Sequence, residues 1–184
     1  MKPEEKARVK IDQLLTEAGW KVINRDEFEA DSSAVAVREG LLKGNREADY
    51  FLFINGKAVG ILEAKREEID ANKGVVCDQV EAYARGVPSY YTAYQKPIPF
   101  LYTSNGKQHY FHDFRKKDSG YEEIFVMHKP KKLVEMLGIE DPFAGLPTLN
   151  PKGLRACQYE AITGLEKSFR NGQNRALMVL ATGA

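Results

Sequence analysis

Over residues 4–18 the apolar positions Ala7, Ile11, Leu14, Leu15 and Ala18 recur with the helical period, which predicts an amphipathic helix. Gly19 stands where such a helix would end. Trp20-Lys21-Val22-Ile23 opens an extended segment, residues 24–38 show no dominant period, and the polar stretch 40–47 suits a loop. The pattern then changes. Residues 48–53 and 57–64 are almost continuously apolar and flank Asn55-Gly56, a strong hairpin signal. Continuous rather than alternating apolar content implies a sheet covered on both faces. Residues 72–85 return to the helical period, with Val76, Gln79, Val80 and Tyr83 on one stripe and Gly86-Val87-Pro88 closing it. A second strand pair is expected at 99–103 and 108–112 around Asn105-Gly106, and a short helix at 133–137. Residues 138–153, with Pro142, Gly145, Pro147 and Pro151, read as a linker. Beyond it, 154–169 is amphipathic and 176–180 is a short apolar strand. The pattern predicts an α/β domain over 1–137, a mixed central β-sheet flanked by helices, and the start of a second domain over 154–184.

Composition narrows this picture. The 184 residues suffice for one domain and part of another, and 43% hydrophobic with 29% charged residues favours a packed core over disorder. No apolar run approaches the roughly 20 residues of a membrane-spanning helix. Met1-Lys2-Pro3-Glu4-Glu5-Lys6 is charged, with no apolar segment behind it, which excludes a secretory signal and predicts a cytoplasmic location. Cys77 and Cys157 lie far apart without metal-ligand spacing and read as buried free thiols in a reducing compartment. His109, His112 and His128 also lack ligand spacing and read as structural or exposed. At a net charge of +1, a nucleic-acid partner would need locally concentrated positive charge. Arg115-Lys116-Lys117 and Lys129-Pro130-Lys131-Lys132 are the candidate runs, each read first as a solvated turn.

The chemical signal is Asp49 followed by Glu63-Ala64-Lys65, charged residues at the ends of apolar strands. Phosphodiester cleavage needs a divalent ion to polarise the phosphate and acidify a water. Mg²⁺ favours oxygen ligands and takes one or two carboxylates while keeping several waters. Asp49 and Glu63 can supply these. Two bare carboxylates about 4 Å apart repel by about 4 kcal/mol at an effective dielectric near 20, which a cation and an ammonium would offset. Lys65 is two residues from Glu63, hence on the same strand face, where it can orient water or stabilise charge on the phosphate. Gln79 and Tyr83, four apart, share one helix face.

Side-chain alternation makes this constellation demanding. A two-residue Asn55-Gly56 loop in an unbroken ladder sets Asp49 opposite Leu62 and sends Glu63 to the other face. A three-residue loop, Ile54-Asn55-Gly56, sets Asp49 opposite Ile61 and unites the three. The sequence therefore predicts an odd-length loop or an equivalent bulge.

Glu5, Ala48-Asp49-Tyr50, Leu62-Glu63-Ala64-Lys65 and Gln79-Val80-Glu81-Ala82-Tyr83 together resemble the N-terminal endonuclease domain of type I restriction R (HsdR) subunits, of the PD-(D/E)XK nuclease superfamily. Ser104-Asn105-Gly106 and Tyr110-Phe111-His112-Asp113 resemble it too, although Ala48 stands where the superfamily pattern has proline. The resemblance implies a PD-(D/E)XK restriction-endonuclease-like core. It implies Asp49 and Glu63 as Mg²⁺ ligands and Lys65 as catalytic. Gln79 and Tyr83 would support the motif, and Glu5 or Glu4 would add an acidic group. Residues 154–162, with Arg155 and Gln158, resemble the adenine-recognising Q motif of superfamily 2 helicases. Residues 176–184 resemble a strand entering a phosphate-binding loop, with Thr182 and Gly183 at its start. That implies ATP binding in a full-length motor, of which this sequence would hold a truncated start without the loop's Lys and Ser/Thr and so without ATP hydrolysis. Implied partners are double-stranded DNA and the methylation and specificity subunits of a restriction complex. Two other readings are a nuclease domain of another nuclease–helicase fusion and a non-catalytic DNA-binding or assembly module.

Overall fold

The computed structural model describes residues 3–29, 33–44, 46–116, 119–139, 149–170 and 175–180. Helix α1 (Pro3–Glu17) follows the expected stripe, burying Ala7, Ile11 and Leu15. It ends in a Schellman turn. Gly19, at φ 93°, donates its N–H to Thr16 O at 2.9 Å, and the Trp20 N–H reaches Leu15 O at 3.0 Å.

Seven strands then form one sheet in sequential order: β1 (Lys21–Ile23), β2 (Ala34–Leu41), β3 (Glu47–Ile54), β4 (Lys57–Ala64), β5 (Phe100–Ser104), β6 (His109–Asp113) and β7 (Glu122–Ile124). The sheet is mixed, as expected. The β1–β2 and β4–β5 pairs are parallel and the others antiparallel. The parallel β4–β5 step needs a crossover, which helix α2 (Gly74–Arg85) supplies. Helix α3 (Pro130–Leu137) starts on Pro130 and closes on Gly138 in the left-handed conformation.

Both faces of the sheet are covered, as the continuous apolar strands require. Phe51, Phe53, Ile61 and Leu101 pack with Val80, Tyr83 and Ala84 of α2. Tyr50, Leu52, Leu62, Phe100 and Tyr102 pack with Ile11 and Leu15 of α1 and Leu133 of α3.

Several expectations need correcting. Strand β2 runs through residues left without a period and into the expected loop, because its polar end is paired with α1: Arg38 donates to Asp12 at 2.9 Å. Strand β7 is a three-residue edge with no buried position. Residues 176–180 form no strand, and Leu177 and Val179 are exposed. Helix α4 (Ala156–Arg170) forms where the amphipathic pattern lies, with no buried residue among those described. Of the expected linker, residues 140–148 fall outside the described residues. Cys77 is buried but Cys157 is exposed, and both are free. Arg115 is no solvated turn residue, since it is bound to Asp113, while Lys117 falls outside the described residues. The histidines keep their structural reading, with His109 and His112 buried and His128 paired with the Tyr102 hydroxyl at 2.9 Å. No helix among the described residues is long and apolar enough to cross a membrane.

Candidate active site

The β3–β4 hairpin determines what meets at its open end. Its loop is the two-residue Asn55-Gly56, both at positive φ (51° and 69°), with Ile54 opposite Lys57 and Phe53 opposite Ala58. Positive φ at both positions is what a tight primed turn asks for. The odd-length loop is therefore not present. A bulge is: the register shifts between Leu52 and Phe53, so Leu52 faces Gly60 and Tyr50 faces Leu62. Continued by one residue, this register sets Asp49 beside Glu63 rather than opposite Ile61. The parity change comes from the bulge, which inserts Val59 into the α1 side of the core.

Beyond Tyr50 the two strands part. The Ala64 N–H, next in line for the ladder, is taken at 2.8 Å by Asp49 Oδ2 instead of by backbone. On its other edge β4 continues regularly, the Lys65 N–H reaching Ser104 O at 2.8 Å. Asp49 thus occupies the wedge between parting strands.

Glu63 is 4% exposed. Its Oε1 accepts from Lys65 Nζ at 2.6 Å and from Gln79 Nε2 at 2.7 Å. Gln79 Oε1 accepts from Lys65 Nζ at 3.1 Å, and Gln79 Nε2 also donates to the Tyr83 hydroxyl at 2.6 Å. Helix α2 presents Gln79 and Tyr83 one turn apart, so the phenol fixes the amide and the amide fixes both Glu63 and Lys65. Glu63 Oε2 is buried and has no hydrogen-bond partner among the described residues. Burial raises the Glu63 pKa most, the Asp49 carboxylate raises it further, and Lys65 opposes both; the result is a carboxyl pushed up to about 7.

The structure therefore brings Asp49, Glu63, Lys65, Gln79 and Tyr83 together. Glu5 lies exposed on the first turn of α1, and Arg8, further along the same helix, binds Asp49. Arg8 Nη2 binds Asp49 Oδ1, and Arg8 Nη1 reaches Glu39 Oε1 at 3.1 Å. Neither Arg8 nor Glu39 carried a local signal, since one sits on a charged helix face and the other in the unassigned strand. Gln158 Oε1 accepts from the Arg155 backbone N–H at 3.0 Å and so caps α4, while Thr182 and Gly183 fall outside the described residues. Among the described residues no group of three or more His, Cys, Asp or Glu side chains is placed to hold a metal. Asp49 and Glu63 are the pair available. A cleft of about 480 Å³ beside α1 and α3, lined by Leu14, Ala18, Val126 and Met127, touches none of these residues.

Residues 26–137, more than half of the chain, match the family model described as the second domain of the type I restriction enzyme EcoKI endonuclease subunit. This chain belongs to that restriction-subunit family. It is 28% identical to the type I restriction enzyme EcoKI endonuclease subunit of Escherichia coli (strain K12), across 98% of this chain and 20% of that protein. The chain thus spans about a fifth of the length of the curated relative it matches. A solved fragment described as an HsdR subunit of a type I restriction enzyme from Vibrio vulnificus YJ016 aligns over all of this chain and 35% of that one, at 20% identity and a TM-score of 0.47. Asp49, Glu63, Lys65, Gln79 and Tyr83 all lie inside the stretch that matches the restriction-subunit model; Glu5 and Arg8 precede it and Gln158 follows it.

Proposed function

We propose that residues 1–137 are the Mg²⁺-dependent endonuclease domain of a type I restriction subunit, with 138–153 as linker and 154–184 as the start of its ATP-driven motor. The observation that carries this reading is the buried, unpartnered Oε2 of Glu63 beside the Asp49 carboxylate. An orphaned buried acceptor next to a second carboxylate is costly unless something cationic or a proton joins them. The residues present fit Mg²⁺, which takes one or two carboxylates and retains its waters.

Asp49 and Glu63 would hold the ion. When bound, it supplies polarisation of the scissile phosphate and a more acidic attacking water. Lys65 places a positive charge where charge builds on the phosphate oxygens, and its bond to Glu63 holds the ammonium there. Gln79 keeps Glu63 and Lys65 in register, and Tyr83 keeps Gln79. Burial excludes bulk water from the Glu63 side, strengthening each of these interactions.

Gln158 caps its own helix through the Arg155 N–H. ATP chemistry is assigned to the remainder of the full-length subunit, with Arg155, Gln158, Thr182 and Gly183 at its edge. Double-stranded DNA would be the substrate, and the methylation and specificity subunits the assembly partners.

The test is cleavage by the assembled enzyme carrying wild-type, Asp49→Ala or Lys65→Ala subunits. Loss on the order of a hundredfold or more in both variants, with DNA binding kept, is the expected result. Equal cutting by all three would overturn the assignment. Equal DNA binding with no cutting even by wild type would favour an assembly module.

A further inference from the structure

We propose that Arg8 competes with the divalent cation for Asp49, and so sets how much metal the site needs before it loads. The inference rests on the reading of Asp49 and Glu63 as the cation's ligands.

Three of the four oxygens of the two carboxylates already carry a donor, and on Asp49 one of these donors is a full positive charge. Asp49 Oδ2 accepts from the Ala64 N–H, Asp49 Oδ1 is bound by Arg8, and Glu63 Oε1 is held by Lys65 and Gln79. Only Glu63 Oε2 has no hydrogen-bond partner among the described residues. A cation shared by both side chains needs an oxygen of Asp49 as well. The Ala64 N–H is part of a strand and cannot withdraw. The guanidinium of Arg8 can, because it stands on a long side chain that is 40% exposed. It also carries a full positive charge that a divalent ion would face at contact distance.

Arg8 has somewhere else to go. Its other nitrogen already binds Glu39, whose side chain is 56% exposed. Glu39 lies across from Asp49 in the β2–β3 register, between the pairs Arg38↔Tyr50 and Gly40↔Ala48. Its backbone is left-handed, at φ 53°, which is uncommon for a residue with a side chain. Arg8 can therefore release Asp49 and remain paired with Glu39. Loading would then exchange the Arg8–Asp49 ion pair for the cation while the Arg8–Glu39 pair is kept.

The experiment is a calorimetric titration of the full chain with Mn²⁺, comparing wild type with Arg8→Gln, Arg8→Lys and Asp49→Asn. Arg8→Gln should bind on the order of fivefold tighter, as expected for removing a half-exposed competing charge. Arg8→Lys, which keeps the charge but loses the planar fork, should fall between. In wild type titrated with diamagnetic Mg²⁺, the ¹⁵N resonance of the Arg8 side chain should shift saturably with the same midpoint as Mg²⁺ binding, a measurement needing no variant to fold. Equal or weaker binding by Arg8→Gln, or an Arg8 resonance unmoved by metal, would overturn the competition even if Asp49→Asn abolishes binding. Absence of Mn²⁺ binding in wild type, or binding indifferent to Asp49→Asn, would remove the metal site and the competition with it.

Discussion

Two buried carboxylates end strands of the same sheet and have opposite fates. Glu63, near the end of β4, is 4% exposed; Asp113, closing β6, is 5% exposed. Asp113 is satisfied. Its two oxygens take the Nε and Nη2 of Arg115 at 2.8 Å each, the Arg115 backbone N–H adds a third bond at 3.2 Å, and the guanidinium lies 5.0 Å over the Phe100 ring. Burial raises its pKa, but the hydrogen bonds and charge of Arg115 outweigh that and leave it below the usual range. Glu63 faces another carboxylate, shares its ammonium with Gln79, and keeps one oxygen unpaired. Equal burial thus yields a structural clamp in one place and a poised acid in the other. What separates them is whether the remaining lone pairs have donors.

The strongest way to break this contrast is to neutralise each acid. Glu63→Gln keeps the shape of the side chain and lets its amide donate to Asp49, so the fold should persist while cleavage by the assembled enzyme falls on the order of a thousandfold. Asp113→Ala should do the reverse. It strands a partly buried guanidinium, costing about 3 kcal/mol of stability in denaturant unfolding, while the folded fraction still cuts. A Glu63→Gln enzyme that still cuts, or an Asp113→Ala chain as stable as wild type, would dissolve the distinction.

The pH dependence sharpens it. Folding favours the protonated form of Glu63, whose carboxyl rises from about 4.5 to about 7. That contribution is complete below the ordinary glutamate value and is lost as pH rises through about 7. With chelator present, wild type should therefore lose up to roughly 3 kcal/mol relative to Glu63→Gln between pH 5 and pH 8. Asp113 runs the other way. Its depressed pKa gives stability that is present above the ordinary aspartate value and is lost as pH falls through the folded one. A stability difference between wild type and Glu63→Gln that stays flat from pH 5 to pH 8 would mean that Glu63 is not poised.

Much of this arrangement is legible in the amino-acid order. The near-continuous apolar runs of β3 and β4 predict their pairing and the two-sided core, because both faces must be dry to tolerate such a run. Alternation also shows that a plain two-residue hairpin cannot unite Asp49 with Glu63, so some irregularity is required. Nothing local says that a bulge near Val59 supplies it, since bulge position depends on how the strands pack. Strand β2 is illegible for a related reason: the side chains of Arg38 and Glu39 pair with Asp12 and Arg8 of a helix distant in sequence. Residues 176–180 show the converse. Their apolar, branched character is that of a strand, but a strand needs a neighbouring edge to pair with, and no described edge pairs with them. Asp49, Glu63, Lys65, Gln79 and Tyr83 are readable from spacing taken together with the family resemblance, whereas Arg8 emerges only once α1 is laid against the strand ends.

The smallest effect tests how far the poise of Glu63 reaches. Asp113 has its donor two residues away on its own chain segment, so its geometry is local. Glu63 depends on a relay through α2, in which the Tyr83 hydroxyl receives one hydrogen of the Gln79 amide while Glu63 Oε1 and Lys65 occupy the rest of it. Tyr83→Phe keeps the ring that packs in the core and deletes only that acceptor. One amide hydrogen then loses its partner in a partly buried setting, which should cost about 1 kcal/mol of stability. The amide becomes free to rotate away from Glu63, so cleavage by the assembled enzyme should fall by roughly tenfold or less, with DNA affinity unchanged. Because the relay holds the Lys65 ammonium against Glu63, the midpoint of the Glu63 pH transition should move with it. A Tyr83→Phe chain that loses stability but leaves both cleavage and that midpoint in place would show that Glu63 is poised by its own strand alone.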